Sequence, residues 1–294
     1  MNKWMIVALV LIGCGMVLFF IGMFYIDFDF SKLAAPTTTN NYSITDQFSS
    51  ISVNSHVADV YFSVSQDETC QIQVLESEAL PVKVTVEDGV LTIKQENHRK
   101  WYDYIGIFTQ TKVTVILPQT QYDKLTVHSD TGKVVIGSKL TFRDVAVQGS
   151  TGSVSIACSV TDSLSVRNST GKVTLTSVSC GAIDALTSTG HLTIENCTAE
   201  SLDAEASTGN IQLINTVVSG KLTARADTGD ITLDRCDADS LKLNTSTGDV
   251  SGTLLTEKIV FAETDTGHVS VPHSTNGGRC DISTDTGNIT IDFS

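Results

Sequence analysis

Four Asp-Thr-Gly triplets, at Asp130, Asp227, Asp265 and Asp285, are the part of this sequence closest to a catalytic motif. In paired-carboxylate proteases the same triplet supplies an aspartate that shares a proton with a second one. That chemistry needs two triplets in two large lobes. Here the triplet alternates with Ser-Thr-Gly at the same place in a repeat, as in Ser207-Thr208-Gly209, so the Asp reads as turn chemistry. A calcium ladder would use the same carboxylates. Calcium takes six or more oxygens, however, and known calcium-binding repeats are far richer in Gly and Asp. The histidines, His56, His98, His128, His191, His268 and His273, are scattered along the chain and read as surface residues. No Ser-His-Asp set, phosphate loop or zinc spacing occurs. The expectation is a chain with no catalytic residue, no cofactor site and no metal site.

What positions the triplets is a repeat. Gly132, Gly152, Gly171, Gly190, Gly209, Gly229, Gly248, Gly267 and Gly287 succeed one another at steps of 19 or 20 residues, each preceded by Thr. Residues two and four after each glycine are apolar (Val134/Ile136, Leu192/Ile194, Ile289/Ile291), with polar residues between them. Only Val250/Gly252 departs from this pattern. Residues seven and five before the glycine are apolar as well, as in Leu164/Val166 and Leu222/Ala224. Period two on both sides of a turn means strand, turn, strand, return turn. Such a unit cannot bury its own apolar face, but a stack of them can. The fold expected is all-β: a parallel β-helix or β-solenoid of about nine coils over residues 119–294, roughly 40 Å long at ~4.8 Å per layer. Alanines 185, 204, 224 and 262 imply a narrow interior. Because the glycine steps never exceed 20 residues, no inserted loop walls a cleft, which weighs against a polysaccharide lyase or hydrolase.

The chain has 294 residues and a formal net charge of −14, which disfavours nucleic acid as a partner. Residues 1–30 hold a charge-free run from Trp4 to Ile26, long enough to cross a bilayer as one helix. Lys3 precedes it, and Asp27 and Asp29 come after it, which puts the N-terminus in the cytoplasm and the bulk of the chain outside the cell membrane. Leu11-Ile12-Gly13-Cys14 resembles a bacterial lipobox, but the apolar run continues twelve residues past Cys14, which favours an uncleaved anchor. Six further cysteines lie beyond it. Cys197 and Cys236 share a slot two coils apart, ~9.6 Å, too far to bridge. Cys180 and Cys197 are the one pair near enough to consider, and small buried hydrophobes is the plainer reading of all six.

Residues 31–42 read as a tether and 43–118 as an irregular β-rich cap over the first coil. Strand candidates there are 57–64, 71–75, 82–86, 90–95 and 112–117, with a hairpin turn at Glu87-Asp88-Gly89. An aromatic cluster, Trp101, Tyr102, Tyr104 and Phe108, stands out in an aromatic-poor chain and is the candidate partner contact, either folded over the solenoid end or exposed to a protein or membrane interface. At the far end the strand near Gly287 is expected to be the last of the stack, either shielded by its own polar residues or docked onto something, since an open solenoid end is a template for strand addition.

The Ser/Asp-Thr-Gly repeat, Asp59-Val60-Tyr61-Phe62, Glu87-Asp88-Gly89-Val90-Leu91-Thr92-Ile93 and the N-terminal apolar segment together resemble the bacterial putative-adhesin family, common in Gram-positive cell envelopes. The similarity covers about residues 45–292. It implies a β-solenoid with links to adhesion and envelope-stress sensing, and no agreed catalytic residues. Two functions arise as expectations. The first is a non-catalytic binding or scaffolding rod for a cell-wall polymer, a glycan or a cationic peptide. The second is an envelope-stress sensor or regulatory subunit that contacts a membrane protein.

Overall fold

The computed structural model describes residues 3–25, 27–28, 36–100 and 111–294. The helix α1 (Lys3–Tyr25) is apolar all round and long enough to cross a membrane. The strands before the repeats are β1 (Thr37–Ile44), β2 (Ser50–Ser55), β3 (Asp59–Val64), β4 (Cys70–Ser77), β5 (Val82–Glu87), β6 (Val90–Gln95) and β7 (Lys112–Leu117). The repeats then alternate long and short strands. These are β8 (Gln121–Thr131), β9 (Val134–Ile136), β10 (Thr141–Thr151), β11 (Val154–Ile156), β12 (Ser159–Thr170), β13 (Val173–Thr176), β14 (Ser179–Thr189), β15 (Leu192–Glu195), β16 (Thr198–Thr208) and β17 (Ile211–Ile214). The last are β18 (Val217–Thr228), β19 (Ile231–Thr247), β20 (Val250–Leu254), β21 (Lys258–Thr266), β22 (Val269–Ser270), β23 (Gly278–Thr286) and β24 (Ile289–Phe293).

Long strands stack on long strands and short on short, all parallel and in register. Leu164 faces Ile183, Ile183 faces Leu202, and Leu202 faces Leu222. On the short side Val173, Leu192, Ile211 and Ile231 form one row. The inward rows are buried and the residues between them are half-buried or exposed, so each layer hides its apolar stripe only because a layer lies above and below. The solenoid has about eight turns, counted as the steps between nine glycine corners.

The corner glycines form a spine. At Gly190 φ is +151°, and an added Cβ would run into the carbonyl oxygen of Gly171 one layer below; the other corners are alike, with φ between +128° and +156°. Both conditions exclude a side chain. Turn N–H groups donate to the next layer, as Gly190 N does to Thr208 O at 2.8 Å. The residue after the glycine, rather than the Ser or Asp before it, makes the side-chain ladder. The backbone N–H groups of Asp230 and Asp249 donate to Asn210 Oδ1 and Asp230 Oδ1, at 3.1 and 2.9 Å. At the opposite corner Ser177, Asn196, Asn215 and Arg235 hold positive φ, and Asn215 Nδ2 donates to Asn196 Oδ1 at 3.0 Å.

Layer order departs from chain order at both ends. At the N-terminal end the β2–β3 layer packs directly on β8–β9, and the chain then skips outward so that β6–β7 lies beyond it. Antiparallel β5 and β4 extend that outer layer, and β1 pairs with β4 at the edge. Part of the segment expected as a tether over 31–42 is instead strand: Thr37–Ile44 pairs along its length with β4 as a solvated edge. The hairpin at Asp88-Gly89 forms as expected, with φ of +50° and +74°. All five strand candidates match within two residues at each end, and β2 has no counterpart among them.

At the C-terminal end the β23–β24 layer packs on β19–β20, and β21–β22 lies outside it. The glycine corners run Gly248, Gly287, Gly267, and the amide of His268 donates to Asn288 Oδ1 as the amide of Asn288 does to Asp249 Oδ1. The expectation that the Gly287 coil is the last of the stack is thus corrected: that coil is an inner layer, and the Gly267 coil is outermost. The outward skip is fastened by Leu255 N to Cys236 O at 2.9 Å, Thr256 Oγ1 to Asp237 Oδ1 at 3.0 Å, and a buried ion pair, Lys258 Nζ to Asp237 Oδ1 at 2.6 Å. The return needs Gly277 and Gly278, whose absent Cβ atoms leave room for the carbonyls of Glu257 and Asp239. Gly252 breaks the apolar row because its backbone, at φ +151°, passes close over Leu233.

Candidate functional site

The residues with chemistry in their side chains fall into four places. The Asp-Thr-Gly carboxylates line the glycine corner on its outer side, in separate layers, and of the four only Asp265 and Asp285 fall in adjacent layers. Among the described residues no group of three or more His, Cys, Asp or Glu side chains could hold a metal ion. The seven cysteines are free thiols, Cys180 and Cys197 included. Cys197 and Cys236 sit on one ladder with Thr216 between them, two layers apart. Burial pushes the thiol pKa values of Cys70 and Cys180 up to about 11 and those of Cys158 and Cys280 up to about 12, so none is a ready nucleophile. The aromatic contact residues Trp101, Tyr102, Tyr104 and Phe108 lie outside the described residues.

The second place is a histidine pair whose members look unrelated in the sequence. His56, in the turn between β2 and β3, donates from Nδ1 to Asp130 Oδ2 at 2.7 Å, and His128 Nε2 stands 3.2 Å from Asp130 Oδ1. The hydrogen bond from His56, assisted by His128, holds the Asp130 carboxyl below its ordinary value. The cluster ties the cap layer to the first repeat. A separation of 74 residues between His56 and Asp130 hides it from any local pattern. Behind it Gln95 Oε1 accepts the amides of His56 and Val57 at 3.0 and 2.9 Å, so β6, β2 and β8 meet at one corner.

The third place is the outward face of the long-strand sheet. Successive layers set Asp184, Asp203, Thr223, Lys242, Asp281 and Phe261 in one row. The adjacent row reads Arg167, Leu186, Glu205, Arg225, Asn244, Ser283 and Glu263. Arg167 reaches Asp184 at 2.6 Å. Near the outer end the face is concave: Arg279 lies over the Phe261 ring, 4.7 Å from its centroid, and pairs with Asp281 at 2.7 Å. The Arg279 hydrogen bond holds the Asp281 carboxyl below its ordinary value. Asn244 Nδ2 is bonded to Ser283 Oγ, while Asn244 Oδ1 is buried with no partner. Phe261 and Arg279 stand in adjacent layers, and the layer exchange puts Asn244 directly beside Ser283.

The fourth place is the end of the stack. In inner layers the inward positions are closed, as at Cys280, Ile282, Ile289 and Ile291, each no more than 2% exposed. In the outermost layer the matching Val260, Ala262 and Val269 are only partly covered, and Phe261 is 52% exposed. Among the described residues β21 pairs with β23 alone and β22 with β24 alone.

Comparison with known proteins places this architecture. None of the curated proteins matches the chain. Among solved structures, one described as a putative adhesin from Parabacteroides merdae shares 14% identity and a TM-score of 0.55, over 87% of this chain and 96% of that one. Another from Bacteroides fragilis, described in the same words, shares 19% identity and a TM-score of 0.47, over 87% of this chain and 97% of that one. A protein from Parabacteroides distasonis described as a putative lipid binding protein shares 14% identity and a TM-score of 0.49, over 87% of this chain and 97% of that one. The likeness to the Parabacteroides merdae structure, at 14% identity, is one of fold. A family model, Toastrack DUF4097, matches residues 48–292, which spans β2 to β24 and all nine glycine corners. The chain belongs to the Toastrack DUF4097 family.

Proposed function

We propose that this chain is a non-catalytic binding scaffold of the bacterial cell envelope, a rigid rod held to the membrane by α1 with its bulk on the outer side. The observation that carries this reading is the unbroken stack. Layers recur at 19 or 20 residues with no inserted loop, so the long-strand face is a flat ladder of Asp, Thr, Lys, Arg and Glu at regular spacing. Such a face matches an extended, repetitive ligand (a glycan or a cell-wall polymer) better than a small substrate, which needs walls. The net charge of −14 favours a cationic or neutral ligand over an anionic one. The apolar helix supports either an anchor or a secretion signal. Lys3 before it and Asp27 after it support the anchored, outward-facing arrangement.

Two measurements test the proposal. Full-length chain in detergent, titrated against wall polymers, glycans and cationic peptides, should bind one class saturably. That binding should fall when Arg167, Glu205 and Arg225 are replaced together by Ser. Turnover of any polysaccharide in the same assay would contradict a non-catalytic role. Protease added to intact cells should remove the β-domain and spare α1; a β-domain protected in intact cells and cut only after lysis would contradict the outward orientation.

A further inference from the structure

The outward face of the long-strand sheet changes character along the stack. In the middle layers it sets Asp203 beside Thr223 and Glu205 beside Arg225, a flat polar surface. Over the layers of β19, β23 and β21 it dips into a hollow of about 540 Å³, a volume ordinary for ligand sites. Among the described residues of the repeats, the exposed large apolar side chains are Val217, Leu255 and Phe261, and only Phe261, in this hollow, is aromatic. One exposed ring means little by itself. This one stands in a fixed setting. The Arg279 guanidinium lies over it, 4.7 Å from the ring centroid, and Arg279 Nε donates to the two Asp281 oxygens at 2.8 and 2.7 Å. Lys242 stands beside Asp281 on the next strand, so ring, guanidinium and carboxylate hold one another in place. Both Nη groups of Arg279 have no hydrogen-bond partner among the described residues and remain as donors.

We propose that this hollow is a sugar-binding subsite, which takes an uncharged pyranose ring of a neutral glycan. The charge balance selects the ligand. Lys242 and Arg279 are matched by Asp281 and Glu263, so the hollow is neutral in a chain of net charge −14. An anionic ligand would meet Asp281, Glu263 and the field of the whole chain, and a cationic one would meet Lys242 and Arg279. A pyranose ring has what the remaining groups ask for: a C–H face to lie against Phe261, and hydroxyls at its edge that accept from Arg279 Nη and Lys242 Nζ and donate to the Glu263 carboxylate. A few placed polar groups around an aromatic surface fix the orientation of such a ligand. From the hollow the flat ladder runs on through Thr223, Arg225 and Glu205, where the rest of a polymer would lie. The inference rests on the binding-scaffold reading and narrows it: of the ligands that reading admits it selects a neutral glycan, and it gives the glycan an anchoring point.

The test uses the full chain in a polyoxyethylene detergent, whose headgroup carries no sugar. Calorimetric titration with cellohexaose, maltohexaose and N-acetylchitohexaose should show saturable binding of at least one, with polygalacturonate and polylysine as charged probes that bind more weakly. Phe261→Ala should weaken the neutral sugar by about tenfold or more, and Phe261→Trp should retain it. Arg279→Lys keeps the charge but loses the planar fork, and should weaken binding several-fold. Because the Phe261 ring is 52% exposed, its variants should unfold at the wild-type urea concentration. Failure to bind any neutral probe would overturn the proposal, as would a charged probe preferred by the wild type and lost in Phe261→Ala. Neutral-sugar binding that survives Phe261→Ala but is lost on joint replacement of Arg167, Glu205 and Arg225 would overturn the subsite and leave the scaffold reading standing. Binding lost in Phe261→Ala and untouched by that joint replacement would support the subsite and contradict the extended ladder instead.

Discussion

At the N-terminal end of the stack, β2–β3 is clamped as an inner layer and the chain returns outside it as β6–β7. At the C-terminal end, β23–β24 is clamped and β21–β22 lies outside. The same skip serves both ends, but the two skips carry different lengths of chain. The N-terminal skip carries enough to add β4 and β5 antiparallel, with β1, from before β2, paired on β4, and that end is braced by Phe48, Tyr122 and Phe142, ring centroids 5.8 and 5.7 Å apart. The C-terminal skip carries one layer and is braced by the Lys258–Asp237 pair. A solenoid end is closed by antiparallel strands laid on it, not by the order in which coils were threaded.

The largest effect should come from removing the inner C-terminal layer, set against removal of the N-terminal edge strand. Deleting 278–294 removes an inner layer with Cys280, Ile282, Ile289 and Ile291 buried, about 6–12 kcal/mol of gross apolar burial. Urea unfolding should show loss of the cooperative transition for the last layers. Deleting 36–44 removes β1, none of whose residues is buried, and should cost no more than about 2 kcal/mol. Equal costs would erase the contrast.

Next is the spine. Gly209→Ala, in mid-stack, combines a positive φ with a clash against Gly190 O and should cost about 3 kcal/mol or more. Gly267→Ala meets Gly287 O in the same way, but among the described residues no layer lies beyond its own and it can lift, so the midpoint of urea unfolding should fall less. Lys258→Ala leaves Asp237 half-paired inside the skip and should cost about 3 kcal/mol, with Lys258→Met recovering part of that through packing. If both variants unfold at the wild-type urea concentration, the ion pair does not hold the skip.

The smallest effect is a pH dependence at the N-terminal corner. Asp130 is held below its unfolded value by His56 and His128, so its contribution is complete above about pH 4 and is lost as pH falls through the lowered folded value. Asp130→Asn should flatten the acid limb of a stability-versus-pH curve. An unaltered acid limb in Asp130→Asn would remove the cluster from the account.

Much of this architecture is legible in the sequence. The glycine corners, the inward rows and the Asp88-Gly89 hairpin each announce themselves within about twenty residues, the length of one coil. Layer order does not, since Val260/Ala262 with Gly267 fits the repeat as well as Cys280/Ile282 with Gly287. Its signal takes a different form: Gly277 and Gly278, outside the repeat register, mark a close backbone crossing that a sequential stack has no use for. The His56–Asp130 contact joins residues 74 apart, and the Asn244–Ser283 contact depends on that order, so no local pattern could disclose them.

The layer order itself can be read by paired cysteines. Ser251, Thr290 and Ser270 occupy the same place in the Gly248, Gly287 and Gly267 coils, and the structure pairs Ser251 with Thr290 and Thr290 with Ser270. The native cysteines of the β-domain are buried with raised pKa values and should stay silent under mild oxidation. S251C/T290C and T290C/S270C should each form an intramolecular disulfide, and S251C/S270C, two layers apart at ~9.6 Å, should not. Efficient closure of S251C/S270C would show the coils stacked in chain order and would contradict the account.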